Sequence, residues 1–332
     1  MPISHVAHYR WSYASTADET DPGSSRTTGR QQNRALEDRA SPGQARPAPL
    51  DRDAGGAHHH DLGRDLRSFV VQRNGRAAIV EELAPLAFAG YAHFTAMQVR
   101  GGQVRGLDLH LERLRSASVE LFGRALPENR VRSYLRAALE AGPADLSLVA
   151  TVYSPAGEFT VAGTDVEPEV LVRTGPAASG PEGPLTLATV EYERVLPGVK
   201  HVGEVAKTYF LRQAVGQGFD DAAFIDRRGR LSEGSIWNLA FWDGAAVVWP
   251  AAEMLGGTTM GIVRRQLDRL GVPQRVQEIT LADLPALAGG VVMNSWTPGV
   301  AVRRIGSAPL PEAQSFLELL HRAYQAEPLT SP

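Results

Sequence analysis

The scarcity of lysine in this chain draws attention to two side chains that could do chemistry. Of its 34 basic residues, only Lys200 and Lys207 are lysines, and all the others are arginines. Arginine keeps its proton at any usable pH, whereas lysine can act as a base or form a Schiff base. Lys200 stands where a strand-like segment gives way to a predicted helix, so we expect its side chain to reach into a cleft. Lys207, inside that helix, is interpreted as a solvated surface residue; chance persistence of both lysines is the alternative.

Glu233 is a second residue with chemical potential. It lies in the sequence Leu-Ser-Glu-Gly-Ser over 231–235, just before a strongly apolar run over 236–242. Its small neighbours allow another group to approach the carboxylate closely. A carboxylate held in apolar surroundings needs a cationic or protonated partner. The alternative interpretation is a glutamate at a strand edge, in contact with water.

A candidate phosphate site occurs in the sequence Leu-Gly-Gly-Thr-Thr-Met over 255–260, which leads into a predicted helix. Glycines and hydroxyl residues at a helix N-terminus offer free backbone N–H groups, side-chain donors and a favourable dipole. The motif is not a Walker loop, because no lysine follows the glycines. Ordinary helix capping by Thr258 or Thr259 is the alternative. Arg113, taken alone on another predicted helix, is interpreted as solvated.

Together these features match the binding requirements of one cofactor. An amine that can form an imine, a carboxylate suited to a protonated ring nitrogen and a phosphate cradle are the groups that hold pyridoxal 5′-phosphate. The sequence therefore predicts a pyridoxal 5′-phosphate site around Lys200, without a metal ion.

The elements that must position these residues begin after a long polar segment. Residues 1–65 are rich in Ser, Gly, Pro, Arg, Asp and Gln, and they are predicted to form a disordered tail because they cannot bury enough apolar surface. The run His58-His59-His60 could hold a metal ion. Without a second ligand cluster, a solvated loop is the favoured interpretation.

A small α/β domain is predicted over 66–174. A β-hairpin is expected over 93–107, because Gly101-Gly102 suits a two-residue turn with positive φ. Leu111, Leu114 and Leu121 share one helical face, which predicts an amphipathic helix over about 108–122. The other expected elements of this domain are a strand over 69–71, a helix over 128–141 and strands over 146–153 and 170–173.

A linker rich in glycine, proline and alanine is predicted over 175–184, followed by a larger cofactor-binding domain over 185–325. Because strands are followed by helices in both halves, the expected fold class is α/β of the α+β type. The elements expected beyond the linker are a strand over 185–190, a helix over 204–215, three strands with turns at Arg228-Gly229 and Asp243-Gly244, and a helix from Thr258 or Thr259 that ends before Gly271.

The composition limits what kind of protein could carry this site. A chain of 332 residues is expected to contain about two domains of roughly 150 residues each. A net charge of −3 argues against binding to nucleic acid, and the absence of cysteine excludes a disulfide scaffold and a thiolate nucleophile. No signal pattern and no apolar stretch of membrane-spanning length is present, so no membrane association and a cytoplasmic location are expected.

The order and spacing of several motifs resemble those of the class IV aminotransferases, the fold-type IV pyridoxal 5′-phosphate enzymes. That family includes branched-chain aminotransferases, D-amino-acid transaminases and aminodeoxychorismate lyase. The resemblance covers residues 69–305, and the 33-residue step from Lys200 to Glu233 also suits the family. The matching motifs are His110-Leu111-Glu112-Arg113-Leu114 with Ser116-Ala117, Val199-Lys200, Gly218-Phe219-Asp220-Asp221-Ala222, Ser232-Glu233-Gly234-Ser235 with Asn238, Leu255-Gly256-Gly257-Thr258-Thr259, and Asn294-Ser295.

This resemblance implies a role for each candidate residue. Lys200 would form the internal aldimine and then move the proton between substrate and cofactor. Glu233 would keep the pyridine nitrogen protonated, and Leu255 would pack against the ring. The residues implied in phosphate binding are Arg113, Thr258, Thr259 and Ser295. The family fold places the cofactor in a cleft between a small N-terminal and a larger C-terminal domain, usually in a homodimer.

Some positions depart from the family pattern. Glu204 or Val205 stands where an asparagine or tyrosine often reaches the ring hydroxyl, so the donor to that oxygen is unassigned. Met260 replaces a common arginine and Trp296 replaces a hydroxyl residue, which shifts phosphate binding toward backbone amides. The sequences His93-Phe94-Thr95 and Lys200-His201 are closer to the lyase members of the family.

The resemblance favours an aminotransferase that acts on small-molecule amino acids or amines and oxo acids. A lyase of the aminodeoxychorismate type, which releases pyruvate with the same lysine, is the first alternative; a catalytically silent cofactor-binding protein is the second. Substrate choice stays open, because a surface role is favoured for each arginine that could meet a carboxylate. These arginines are Arg100, Arg105, Arg173 and Arg194, while Phe94, Trp237 and Trp296 could shape the pocket.

Overall fold

Two β-sheets organise the computed structural model, which describes residues 69–87, 90–158 and 166–332. The predicted tail over 1–65, with its histidine run, lies outside the described residues. The helices are α1 Val80–Ala87, α2 Leu107–Phe122, α3 Glu128–Ala141, α4 Val205–Gly216, α5 Thr258–Arg269 and α6 Gln314–Gln325. No helix in the described ranges is long and apolar enough to cross a membrane.

The first sheet has seven strands, and all neighbouring strands are antiparallel. Its strands are β1 Val71–Arg73, β2 Arg76–Ala77, β3 Ala92–Arg100, β4 Gln103–Arg105, β5 Leu146–Tyr153, β6 Glu169–Pro176 and β16 Leu329–Thr330, in the order β16-β4-β3-β5-β6-β1-β2. The strand nearest the C-terminus therefore returns to the edge of the first sheet, beside β4.

The second sheet has nine strands and mixes parallel with antiparallel pairs. They are β7 Leu185–Glu191, β8 Asp221–Ile225, β9 Leu231–Gly234, β10 Asn238–Trp242, β11 Val247–Pro250, β12 Gln274–Gln277, β13 Gly289–Met293, β14 Val300–Ile305 and β15 Ala308–Pro309. Eight of them follow the order β12-β11-β10-β13-β14-β7-β8-β9, and β9 at the end of this order also pairs with β10. The six strands from β10 to β9 in this order therefore form a closed ring. That closing pair is Asn238 opposite Glu233.

Separate apolar cores support the two sheets. Leu111, Leu114 and Leu121 of α2 are buried with Leu135 of α3 against the first sheet. Behind the second sheet, α5 and α6 bury a group of apolar side chains that includes Met260, Val263, Leu267, Phe316 and Leu320. Each fully buried side chain of this kind contributes about 1.5–3 kcal/mol of transfer free energy, so the helices are held chiefly by these faces.

Many predicted elements are confirmed. The hairpin β3–β4 turns at Gly101 and Gly102, whose φ values are 58° and 73°, and the buried face of α2 is the predicted one. Strand β6 extends to Pro176, two residues into the predicted linker, because Gly175 and Pro176 pair with β5. The sequence analysis missed α1, α6, β2 and the five strands β12 to β16, and it expected three strands where the structure has the four strands β8 to β11. The division into domains over 66–174 and 185–325 stays a prediction.

Helices α2 and α5 approach each other closely at Gly106, the residue before α2. Gly106 has a φ of 63°, and a Cβ at this position would lie 2.6 Å from Cδ1 of Ile262 in α5. In the same contact, Arg265 of α5 pairs with Asp108 of α2 at 2.6 Å. The sequence therefore keeps a glycine where the two helices that carry Arg113 and the Thr258-Thr259 pair must meet.

Replacement of Gly106 by alanine is expected to destabilise the protein by about 3 kcal/mol. The left-handed φ costs an L-residue roughly 1–2 kcal/mol, and the overlap with Ile262 adds an overpacking cost of roughly 1–3 kcal/mol. The matched control is Gly101→Ala, because Gly101 has a φ of 58° and no atom within 4 Å of the added Cβ. Equal losses in the free energy of unfolding, measured by urea denaturation, would contradict the proposed helix contact.

Candidate active site

The segment that carries Lys200 is held by the beginning of β3. The backbone N–H of Phe94 donates to the carbonyl of Lys200 at 2.8 Å, and that of Val202 donates to the carbonyl of Ala92 at 2.9 Å. The Lys200 Nζ lies 4.7 Å from the centroid of the Phe94 ring. Backbone pairing with a strand of the first sheet therefore fixes the position of Lys200, which lies just before α4 in the sequence.

Strand β3 is in turn fixed to α2 by two buried histidines. His93 Nε2 lies 2.9 Å from Ser118 Oγ, and His110 Nδ1 lies 2.6 Å from Thr95 Oγ1. Burial lowers the pKa of each histidine to about 3, so both rings are neutral at physiological pH. These bonds place the Phe94 face of β3 toward Lys200 and the Thr95 face toward α2.

The surroundings of Lys200 favour a neutral amine. Burial is the largest cause, and the nearby positive charges of Arg113, Arg194 and Lys207 act in the same direction, while Glu233 opposes them. Together they lower the pKa of Lys200 to about 7. A lysine with an ordinary pKa near 10.4 is almost fully protonated at pH 7, whereas about half of this one carries a free electron pair. Lys200 can therefore act as a nucleophile or a base near neutrality.

Lys207 is buried, so its interpretation as a solvated surface residue was wrong. Its Nζ lies 3.0 Å from Glu233 Oε1 and 3.9 Å from Glu204 Oε2. Burial lowers the pKa of Lys207, with Arg194 acting in the same direction, whereas Glu233 and Glu204 oppose the shift. Both lysines of the chain thus belong to one cluster of charges. Lys207 contacts the carboxylate of Glu233, whereas Lys200 lies against the Phe94 ring.

Glu233 is the carboxylate shared within this cluster, and it has the cationic partners that the sequence analysis required. Arg194 Nε donates to Glu233 Oε1 at 3.0 Å, and Lys207 contacts the same oxygen. No residue in the described ranges donates to Oε2, which leaves that oxygen as an acceptor for a ligand. The β9–β10 pair holds Glu233 opposite Asn238 and so fixes the direction of this carboxylate.

Arg194 and Glu204 join the cluster, and the sequence analysis had given neither of them a role in it. Arg194 is buried; its Nη1 lies 2.5 Å from Glu204 Oε1 and donates to the carbonyl of Val199 at 2.9 Å. Glu204 Oε1 also lies 3.1 Å from His201 Nε2. The charge of Arg194 is therefore compensated by the protein's own carboxylates. Arg194 and Glu204 lie within six residues of Lys200 in the sequence, and this was the only signal of their role. Proximity in sequence does not show that Arg194 pairs with Glu204 and Glu233.

Around the start of α5, three contacts hold the predicted phosphate motif. Asn238 Nδ2 donates to the carbonyl of Leu255 at 2.7 Å, and a Cβ on Gly257 would lie 1.9 Å from Asn238 Oδ1, so only glycine fits there. Thr259 Oγ1 donates to the carbonyl of Asn294 at 2.8 Å, which brings Ser295 beside the helix. Since α5 begins at Thr258, its first backbone N–H groups lack intrahelical acceptors.

Arg113 reaches the same loop from α2. Its Nη2 donates to the carbonyl of Gly256 at 2.7 Å, and no carboxylate in the described ranges lies within ion-pair distance. Burial, with a smaller effect from Arg194, lowers the pKa of Arg113 to about 10. The structure thus brings the seven predicted site residues into one region. They are Lys200, Glu233, Arg113, Leu255, Thr258, Thr259 and Ser295.

The charges of this region call for an anion. Arg113, Arg194 and Lys207 contribute positive charge, with Lys200 close to half-protonated at pH 7, whereas Glu233 and Glu204 supply the negative charge. A phosphate at the start of α5 would face free N–H groups, the Thr258 hydroxyl and the Arg113 guanidinium, while the Thr259 hydroxyl proton is already donated to the carbonyl of Asn294. These residues therefore fit a phosphorylated, nitrogen-containing ring, with the phosphate at α5 and the ring nitrogen at Glu233.

Comparison with known proteins identifies the family and the fold of this chain. The family model of amino-transferase class IV matches residues 92–305. No curated protein is significantly similar to the chain in sequence. Solved structures of similar fold include a branched-chain aminotransferase from Thermoproteus uzoniensis, determined with norvaline, at 20% identity and a TM-score of 0.68, covering 79% of this chain and 99% of that chain.

Two other similar structures illustrate what such folds carry. A 4-amino-4-deoxychorismate lyase from Pseudomonas aeruginosa has 21% identity and a TM-score of 0.66 over 77% of this chain and 99% of that chain. A branched-chain amino acid aminotransferase from T.th., complexed with N-(5′-phosphopyridoxyl)-L-glutamate, has 18% identity and a TM-score of 0.66 over 79% and 97%. At these identities the likeness establishes the fold, and it confirms the predicted α/β class of the fold-type IV enzymes.

Replacement of Glu233 by glutamine tests the shared carboxylate. We expect a loss of about 3 kcal/mol in the free energy of unfolding, because removal of one partner of a buried ion pair leaves the others uncompensated. The control is Glu193→Gln, which removes a solvent-exposed pair with Arg227 and should change stability little. If both variants unfold at the same denaturant concentration as the parent, the buried cluster does not hold the protein together.

Proposed function

The chain belongs to the class IV aminotransferase family, and from that premise we propose that it is a pyridoxal 5′-phosphate-dependent aminotransferase with Lys200 as its reactive residue. It would move an amino group between an amino acid or amine and an oxo acid. The observation that carries the proposal is the Lys200 amine, whose pKa of about 7 arises beside Glu233 and the cationic side chains that surround it. Nucleophilic amines that are tuned by burial and neighbouring cations are typical of Schiff-base lysines.

Each predicted site residue has a place in this proposal. Arg113, Thr258, Thr259 and Ser295 would bind the phosphate, together with the free N–H groups at the start of α5. The free Oε2 of Glu233 would accept a hydrogen bond from the protonated ring nitrogen. The buried Leu255 would cover one face of the ring. When bound, pyridoxal 5′-phosphate supplies an electron sink for the charge that develops at the substrate Cα.

The residues of the chain would then carry out binding and proton transfer. Lys200 Nζ, as a free amine, would take the proton from the substrate Cα as a general base. Its low pKa matters in this step, because a protonated lysine could not accept that proton. Arg194 and Lys207 would hold Glu233 in place through Oε1, so that its other oxygen stays directed at the ring nitrogen.

We also propose the two-domain division over 66–174 and 185–325, a homodimer and a cytoplasmic location. The family resemblance supports the first two, and the composition supports the third.

The lyase alternative rests on sequence similarities around Phe94 and His201, and the contacts of these segments weaken it. Thr95, part of the lyase-like stretch, is buried and bonded to His110, so its hydroxyl supports packing against α2. His201 contacts the carbonyl of Val195 and the carboxylate of Glu204. Both side chains are thus occupied by structural contacts, which favours the aminotransferase.

The low pKa of Lys200 leads to an expected pH dependence. Covalent capture of pyridoxal 5′-phosphate by the cofactor-free protein should accelerate as the pH rises through about 7, because the amine loses its proton there. The rate is measured by borohydride trapping at pH values from about 5.5 to 9, followed by mass spectrometry of the labelled peptide.

Two lysine variants serve as controls in that experiment. Lys200→Ala should take up no label, whereas Lys207→Met should keep the label at position 200. In Lys207→Met, the midpoint of the pH profile for labelling of Lys200 should move to higher pH, because the positive charge of Lys207 that lowers the pKa of Lys200 is gone. Label attached to Lys207 in the parent protein would refute the assignment.

A half-reaction screen separates the aminotransferase from the lyase. Holoenzyme mixed with single L-amino acids, D-amino acids or amines should release close to one equivalent of oxo acid from at least one donor before any acceptor is added. Parallel reactions with aminodeoxychorismate should give no pyruvate above the Lys200→Ala background, measured with a coupled pyruvate assay. Continuous pyruvate release without transfer from any donor would establish the lyase instead.

A further inference from the structure

Lys207 brings a second buried positive charge to the carboxylate that the ring nitrogen of the cofactor would meet. The side chain of Lys207 is 8% exposed, and its Nζ lies 3.0 Å from Oε1 of Glu233. That oxygen already accepts a hydrogen bond from Arg194 Nε at 3.0 Å. One oxygen of Glu233 therefore contacts two cations, although a single cation would compensate the charge of one carboxylate.

The surroundings of Lys207 favour its charged form and screen that charge poorly. Its Nζ also lies 3.9 Å from Oε2 of Glu204, and the carboxylates of Glu204 and Glu233 both favour the protonated amine. The centroid of the Phe224 ring lies 5.7 Å from the same nitrogen. Because Phe224 is fully buried in β8, its ring keeps water away from that side of the amine. The field of Lys207 therefore reaches further than it would in water.

Other titratable and charged groups act on the same cluster from neighbouring elements. They are Tyr192 and Arg194 after β7, Lys200 and Glu204 before α4, and Arg113 from α2. Burial raises the pKa of the Tyr192 hydroxyl, so Tyr192 is uncharged near neutrality. Lys200, whose pKa is about 7, changes its charge there and has to be removed from any titration of the site.

We propose that Lys207 sets how firmly the ring nitrogen of pyridoxal 5′-phosphate keeps its proton, by offsetting part of the negative charge that Glu233 presents to it. This inference rests on the proposed cofactor and on Oε2 of Glu233 as the acceptor for the ring nitrogen. A proton on that nitrogen is stabilised by the carboxylate and destabilised by a nearby cation. Lys207 is a positioning residue in this role, because it acts through Glu233.

The expected size of the effect follows from charge and distance. The contact between Nζ and Oε1, the width of a carboxylate and one hydrogen bond together span roughly 7 Å. A unit charge at about that distance, in surroundings with an effective dielectric constant of about 20, shifts a proton equilibrium by about tenfold or more. Because the protonated ring is the stronger electron sink, Lys207 would moderate the reactivity that the bound cofactor brings to the site.

Nitrogen NMR of a bound vitamer tests this role without any turnover. Pyridoxamine 5′-phosphate labelled with 15N in the ring is bound to full-length protein that carries Lys200→Ala, and the ring resonance is followed from about pH 5.5 to about 9.5. With Lys207 present, we expect the midpoint of deprotonation to fall inside this range. With Lys207→Met added, the midpoint should rise by about one pH unit or more, because a positive charge has left the site.

Further variants separate the charge of Lys207 from its packing. Lys207→Arg keeps a positive charge beside Glu233 and should return the midpoint close to its value with lysine. Lys207→Gln should act like Lys207→Met, and it supplies the measurement if the methionine variant does not fold. The matched control is Arg212→Met, which removes an exposed positive charge from the same helix and should leave the midpoint unchanged.

The outcomes distinguish the role of Lys207 from the cofactor proposal. If the vitamer binds but its ring nitrogen titrates equally with lysine and with methionine or glutamine at 207, the inference is wrong. It is also wrong if the nitrogen stays protonated over the whole range with Lys207 present, or if Lys207→Arg shifts the midpoint as far as Lys207→Met does. If the vitamer binds to none of these proteins, the proposed cofactor site fails, and the inference fails with it.

Discussion

The structure depends on a cluster of buried charges in which one carboxylate, Glu233, is shared by Arg194 and Lys207. The single contacted oxygen compensates two cations, and the other oxygen stays available to a ligand. The same positive surroundings make protonation of Lys200 unfavourable, because a further cation would be repelled in a region that water screens poorly. Stability, a reactive amine and a position for a ring nitrogen thus arise from one arrangement. The arrangement retains an excess of positive charge, which a phosphorylated cofactor would relieve.

Contacts between distant parts of the chain hold that cluster. The Lys200 segment pairs with β3, and α2 meets α5 at Gly106, so Arg113 and the start of α5 face a common loop. The ring of strands in the second sheet closes at the Asn238–Glu233 pair, and Asn238 then fixes Leu255 and leaves room only for glycine at 257. The polar side chains of the site are therefore fixed by backbone pairing and helix packing, which are costly to distort, rather than by the loops alone.

Local signals in the sequence predicted much of this structure, and long-range partners escaped them. Turn chemistry at Gly101-Gly102 and apolar spacing in α2 sufficed for β3, β4 and the helix, because both depend on neighbours within a few residues. Lysine scarcity likewise pointed to Lys200. The same reasoning failed for Lys207, since its position in a helix says nothing about a carboxylate 26 residues later. Helix α6 was missed, although its buried residues pack on the second sheet. The pairing of Arg194 with Glu204 and Glu233 became visible only when the chain was folded.

The C-terminal part of the chain closes one wall of a cavity beside β3, which is lined by Gln98, Arg100, Arg105, Trp296, Tyr324 and Leu329. Arg105 bonds to the carbonyl of Glu327, 222 residues away, Tyr324 comes from α6, and Leu329 comes from β16. None of these elements supplies a residue to the Lys200 cluster. Sequence changes in the last two elements can therefore remodel what the cavity admits while the reactive amine keeps its environment.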